Sequence, residues 1–210
     1  MNKPKPVKLS WLIRSKRLSP MSPTALISEK LGIKWLPLFN DEYVYGPTPG
    51  IIEAADLLMA ELKPRIVVDL FGGSGAISKL ALLRGARKVI YVDKNPEAAL
   101  LNLRSCKGKV KIIEGDAFTF LNNKVQCDFM VADPPEELIS NLLNKLKLVR
   151  KSITKAALIW LGPSEKAIEY LEIVGKSRMT MTANVWGDTF LIIWKPGFGQ
   201  IIRDVKRRLE

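Results

Sequence analysis

Four carboxylates in this chain stand at or just past the point where an apolar run stops. Asp69 follows Val67-Val68, Asp93 follows Tyr91-Val92, Asp116 comes soon after Ile112-Ile113, and Asp133 follows Val131-Ala132. An acid at a strand end either caps the next helix or accepts hydrogen bonds from a ligand at the carboxyl edge of a sheet. Asp69 opens the turn Asp69-Leu70-Phe71-Gly72-Gly73-Ser74-Gly75. Its glycines allow close backbone approach and positive φ, and the helix that follows offers free N–H groups. A dinucleotide fingerprint G-x-G-x-x-G is broken, because Ser78 stands where the third glycine belongs. Asp69 therefore suits a ligand with a cationic amino-acid group better than a pyrophosphate.

The other acids extend the pattern. Asp93 lies 18 residues past Gly75, where a ribose-binding carboxylate belongs. Asp116, in Glu114-Gly115-Asp116-Ala117-Phe118, is placed to accept from an adenine amino group. Each alone reads as a helix cap; three in succession with the glycine turn point to an adenosine-containing cofactor. Asp133-Pro134-Pro135-Glu136 adds a rigid turn whose carbonyls face outward. A carboxylate plus such a carbonyl can accept both hydrogens of an amino group and leave its lone pair aimed at an electrophile.

The chain has no histidine. Ser-His-Asp and Cys-His catalysis are excluded, as are metal sites built on imidazole, and no metal is expected. The two cysteines, Cys106 and Cys127, have no CxxC spacing and read as reduced thiols.

The elements that must hold these residues alternate. Strand-length apolar runs occur at 66–68, 89–92, 110–113, 129–131 and 156–161, with helical stretches near 76–84, 97–105, 117–122, 137–148 and 164–173. Uninterrupted apolar strands between helices predict a doubly wound, mostly parallel α/β sheet covered on both faces. Strands over 177–185 and 190–194, joined by Trp186-Gly187-Asp188, predict a final antiparallel hairpin and bring the count to seven. Before the first strand, Thr48-Pro49 reads as an N-cap with proline in the first turn of a helix ending near Lys63-Pro64. Residues 1–45 form a basic N-terminal extension in which eight cations from Lys3 to Lys34 face a single acid, Glu29, before Asp41, with one short helix over 23–31. Residues 46–200 make the main domain, and 201–210 a basic tail that could be helical.

Of the 210 residues, 47% are hydrophobic and 26% charged, enough for one buried core. No apolar run approaches the roughly 20 residues of a membrane span, and the Lys-rich N-terminus lacks a signal-peptide core. A cytoplasmic protein with no membrane partner is expected. The net charge of +12 favours a polyanionic partner, because Lys and Arg displace counterions from phosphates.

Asp69 to Gly75, Asp93, Asp116 and Asp133-Pro134-Pro135 together resemble the motifs of the class I, Rossmann-like, S-adenosylmethionine-dependent methyltransferases. The D-P-P element is similar to the D/N/S-P-P-aromatic motif of amino-group N-methyltransferases. The stretch from about Arg65 to Gly197 most resembles the bacterial small-subunit ribosomal RNA guanine-N2 methyltransferases, including Leu82-Leu83-Arg84-Gly85-Ala86 and Trp186-Gly187-Asp188-Thr189. The resemblance implies S-adenosyl-L-methionine as cofactor. Asp69, Phe71, Gly72, Gly73 and Gly75 would line its methionine part, Asp93 with Lys94 its ribose, and Asp116 with Ala117 its adenine. Asp133, Pro134 and Pro135 would grip the target nitrogen. One departure stands out: Glu136 occupies the place where the family carries a base-stacking aromatic, so Tyr43, Tyr45 or Trp186 would have to stack instead.

The expected activity is methylation of an exocyclic base nitrogen in ribosomal or transfer RNA. Glu136 keeps open a protein N-methyltransferase acting on glutamine or lysine, and a non-catalytic RNA-binding protein that retains the fold. Other cations expected at an RNA surface are Lys145, Lys147, Arg150, Lys151, Lys155 and 203–208.

Overall fold

The computed structural model of the chain describes residues 47–106, 108–123, 125–174 and 179–210. The extension, its expected helix over 23–31, Tyr43 and Tyr45 lie outside the described residues.

Helix α1 (Pro49–Leu62) leads in. Thr48 takes the N-cap position with extended backbone, but its hydroxyl makes no cap bond and is buried without a partner among the described residues. The helix stops where Lys63 turns left-handed at φ 47°, just before Pro64. Then β1 (Ile66–Leu70), α2 (Ala76–Leu83), β2 (Lys88–Asp93), α3 (Glu97–Asn102), β3 (Val110–Glu114), α4 (Ala117–Asn122) and β4 (Cys127–Ala132) alternate. Helices α5 (Ile139–Leu143) and α6 (Leu146–Ser152) precede β5 (Ile153–Pro163), and α7 (Ser164–Val174) follows it. The chain closes with β6 (Thr180–Val185), β7 (Asp188–Trp194) and α8 (Gly199–Leu209).

The sheet has seven strands in the order β3-β2-β1-β4-β5-β7-β6. The first five in sequence pair parallel, while β7 runs antiparallel to both β5 and β6. Trp186 and Gly187, both at positive φ (58° and 86°), make the hairpin turn. Two such residues in a row match the twist of the flanking strands. The doubly wound sheet with a final hairpin therefore stands as read from the sequence. The chain winds outward from β1 to β3 and then restarts at β4 on β1's other side. The crevice between β1 and β4 is the switch point where this class of sheet binds ligands.

Some boundaries differ. The helix expected over 137–148 is two helices behind a 3₁₀ turn, Glu136–Leu138, with a break at Asn144-Lys145. Asn favours caps over helix interiors, and here it is the C-cap of α5. The helix expected over 97–105 ends at Asn102 and tightens into a 3₁₀ turn, Arg104–Cys106. Residues 203–208 do lie in a helix. α8 buries Ile202 and Val205 in the same core cluster as α1, and Arg208 pairs with Glu61.

The strand period of two sorts the core onto two faces. Val67, Val89, Phe129, Val131, Leu158, Phe190 and Ile192 pack under α1, α2 and α8. Val68, Leu70, Met130, Ala132, Ile159 and Leu191 pack under α4 to α7. Asp69, Asp93, Asp133 and Asp188 continue the first set, so the period directs all four acids to the α1/α2 side of the sheet's carboxyl edge. The buried pair Arg84–Asp56 ties α2 to α1 on that side, with Arg84 Nη2 donating to Asp56 Oδ2 at 2.7 Å.

Candidate active site

The glycine turn is shaped by β2 and α3. Gly72 N donates to Val92 O (3.2 Å) and Gly75 N to Gly72 O (2.8 Å). Tyr91 Oη donates to Gly73 O (2.7 Å), and Asn102 Nδ2 to Ser74 O (2.9 Å). A Cβ on Gly72 would lie 2.3 Å from the Tyr91 ring, so only glycine lets the turn lie flat on that ring. Gly75 starts α2 at φ 80°, and Phe71 also holds a positive φ of 57°. A left-handed Phe is a strained conformation, of the kind that concentrates at functional sites. Its ring meets Phe118 edge-on, with centroids 5.8 Å apart. Ser74 Oγ is buried in the turn with no hydrogen-bond partner among the described residues.

Asp69 is 1% exposed beneath this turn. Its Oδ2 accepts from Ser78 N (2.9 Å) and Ser78 Oγ (2.7 Å). No cation pairs with it among the described residues. Burial pushes its carboxyl up to about 7, against the two Ser78 hydrogen bonds, and the charges of Asp133 and Asp93 push the same way. A buried carboxylate without a counter-ion is costly, so the position is matched to a ligand that brings a positive charge.

Asp93 accepts from Gly73 N through Oδ2 (2.9 Å) and from Asn95 N through Oδ1 (2.9 Å). Each oxygen keeps acceptor capacity for a further donor. Asp116 takes the helix-capping role open to an acid at a strand end. Its Oδ1 accepts from Thr119 N (2.8 Å) and caps α4, and Lys94 lies 3.5 Å from Oδ2. The Thr119 bond holds its carboxyl below the usual range. Lys94 thus sits with Asp116 and no ion pair joins it to Asp93, while Ala117 is buried in the opposite core. Phe118, two residues past Asp116, is the residue here that partners Phe71. The period of the acids alone gave no signal for it.

Across the switch point, Asp133 N donates to Leu70 O (3.3 Å), which binds the D-P-P turn to the glycine turn. Burial pushes the Asp133 carboxyl up to about 7, and the charge of Asp188 adds to it. Asp188 reaches this edge because β7 starts opposite Pro163, the end of β5. Pro134 is buried and Pro135 exposed. Trp160 on β5 buries its indole N–H without a partner among the described residues. Neither Asp188 nor Trp160 was assigned to the site from sequence; Asp188 alternates with Phe190 and Ile192, which was its available signal. Glu136 begins the 3₁₀ turn and accepts from Lys166 Nζ at 2.8 Å. Trp186, 46% exposed at the hairpin tip, donates Nε1–H to Glu53 on α1 at 2.6 Å. The edge so formed can bind a cationic amino-acid group at Asp69 and hydroxyls at Asp93. At Asp133 it can accept hydrogens from an amine.

The strand order, the closing antiparallel pair and the glycine turn beside β4 define the class I methyltransferase fold. The chain belongs to the family described as Conserved hypothetical protein 95, whose model matches residues 33–195. Among solved structures, an O-methyltransferase from Bacillus cereus in complex with SAH superposes with a TM-score of 0.60 at 12% identity, covering 88% of this chain and 96% of that one. A protein described as an RNA methyltransferase from Pyrococcus horikoshii gives 0.57 at 22% identity, covering 84% and 98%. The ribosomal protein L11 methylase of Lactobacillus delbrueckii gives 0.57 at 18%, covering 79% and 92%. At these identities the shared property is the fold. No curated protein matches the sequence. No helix among the described residues is long and apolar enough to cross a membrane.

Proposed function

We propose that the chain is an S-adenosylmethionine-dependent methyltransferase acting on an exocyclic amino nitrogen of a base in ribosomal or transfer RNA. The observation that carries this reading is the Asp133-Pro134-Pro135 turn, tied through Asp133 N to the end of β1 beside the uncompensated carboxylate of Asp69.

The residues present fit the cofactor. Asp69 supplies the charge that a methionine ammonium needs. Asp93 has acceptor capacity for ribose hydroxyls. Phe71 and Phe118 offer an apolar wall, and the flat turn at Gly72 lets a ligand approach the backbone. When bound, S-adenosylmethionine supplies a methyl group on a positively charged sulfur. Asp133 and the Pro134 carbonyl then orient the target amine by accepting its two hydrogens. After transfer the nitrogen carries a surplus proton. Asp133, with its carboxyl raised to about 7, can take that proton near neutral pH.

The net charge of +12 supports a polyanionic substrate. The Glu136–Lys166 pair fills the place of the family's aromatic, and Trp186 at the same edge is the candidate for stacking. A protein substrate is the second reading. Glu136, Glu137 and Asp188 at this edge favour it, since acids suit a cationic side chain. Mass-spectrometric analysis of nucleosides from cells lacking the chain tests the proposal. Loss of one N-methylated base from ribosomal or transfer RNA is expected. Intact nucleosides with a missing methyl group on a protein would favour the second reading.

A further inference from the structure

The carboxyl edge that holds the candidate site is acidic among the described residues. Its cations Lys94 and Lys166 are each paired with an acid. Four further cations stand at the other end of the same strands. Arg65 precedes β1, Arg87 precedes β2 and Lys88 opens it, and Lys109 precedes β3; all four are exposed. Register makes them neighbours. Arg87 N donates to Arg65 O (2.8 Å), and Val89 N donates to Lys109 O (2.8 Å). Adjacent strands are about 4.8 Å apart, so four cations crowd the amino edge of three strands. None of them forms an ion pair among the described residues. The nearby acid Asp128 is already engaged: Oδ2 accepts from Arg65 N (2.6 Å) and Ile66 N (3.1 Å), and Oδ1 from Thr154 Oγ1 (2.8 Å). Like charges side by side on neighbouring strands destabilise a sheet. Among the described residues no acid pairs with these four side chains, and a row of phosphates would offset their repulsion.

We infer that this amino edge is a phosphate-binding face that anchors folded RNA on the side of the domain opposite the candidate site. The choice of RNA rests on the function proposed above. Five- to six-residue strands separate the two edges by roughly 17–20 Å. A ligand held at both must pass around the flank of the domain, so the substrate class is a folded RNA rather than a nucleotide or short single strand. Lys155 is not part of this face, because its Nζ donates to Leu62 O (2.7 Å) and Lys63 O (3.2 Å) and closes α1.

The test is filter binding of a folded ribosomal RNA fragment to the full chain and to Arg65→Gln/Arg87→Gln/Lys88→Gln/Lys109→Gln, across a salt series. Each lost phosphate contact makes the log–log salt slope shallower by about 0.7–0.9. The variant should bind roughly 100-fold more weakly near 0.1 M salt, while S-adenosylhomocysteine binding by calorimetry stays unchanged. Should that variant fold poorly, Lys88→Gln/Lys109→Gln is expected to show about half the slope change. RNA affinity and slope that match the unmodified chain would overturn the inference. An equal loss of binding to polyglutamate would also overturn it, by making the face a dock for acidic protein. RNA binding that depends on these residues in a chain that methylates no RNA would uphold the face and remove the proposed function instead.

Discussion

Asp69→Asn separates stability from ligand binding at the centre of the site. The folded chain holds this carboxyl at about 7 against 3.8 in the unfolded chain, chiefly because it is buried. At 1.36 kcal/mol per pH unit, that difference is about 4 kcal/mol. The sign follows from which state binds the proton. Below pH 3.8 both states are neutral and there is no penalty. Between 3.8 and about 7 the unfolded chain ionises first, so stability falls as pH rises, and above about 7 the full penalty is present. Asparagine keeps an oxygen that can accept from Ser78 N and Oγ, yet carries no charge. The variant should therefore match the parent near pH 4 and exceed it by about 2–4 kcal/mol near pH 8, measured by urea denaturation. The same substitution should weaken S-adenosylhomocysteine binding by about 1.5–3 kcal/mol, the worth of a charged hydrogen bond. In the unmodified chain, affinity should drop about tenfold per pH unit below 7, because the ligand's ammonium must displace a proton. An equal stability difference at both pH values, or unchanged ligand affinity, would refute this account of Asp69.

Three other substitutions probe the supports of the site. Gly72→Ala forces a methyl into the Tyr91 ring and should cost about 1–3 kcal/mol in thermal or chemical unfolding, with loss of ligand binding. Arg84→Met leaves Asp56 as a buried, unpaired carboxylate and should destabilise by about 3–5 kcal/mol by chemical denaturation. Trp186→Ala removes a half-exposed ring and should change unfolding little, while weakening RNA binding by about 1–3 kcal/mol if that ring stacks on the target base.

The sheet was legible because burial on both faces imposes unbroken apolar strands, and Gly187 after Trp186 encodes the hairpin. The partners of the acids were not. Asp69, Asp93 and Asp133 sit where strand ends predict, but nothing local tells that Lys94 pairs with Asp116. That Asp116 caps α4 was one of the two roles open to an acid at a strand end, and the structure shows that it spends one oxygen on it. The run 137–148 carries helical periodicity throughout, and Asn144, which prefers a cap to a helix interior, was the one local signal of the break at Asn144-Lys145. Tertiary contacts likewise decide that Tyr91 is the floor of the glycine turn. They also take Lys155 out of the basic surface to close α1, and they pair Glu136 with Lys166. The thiol of Cys127, read as an ordinary reduced cysteine, is buried and pushed up to about 12.

The most direct test of the central claim is transfer of label from methyl-labelled S-adenosylmethionine to RNA by the full chain and by Asp133→Ala. Label in an N-methylated base is expected with the unmodified chain. With the variant, the rate should fall by about 10²- to 10⁴-fold while S-adenosylhomocysteine still binds. A chain that binds the cofactor product but labels no RNA, or an Asp133→Ala variant that transfers at the parent rate, would contradict it.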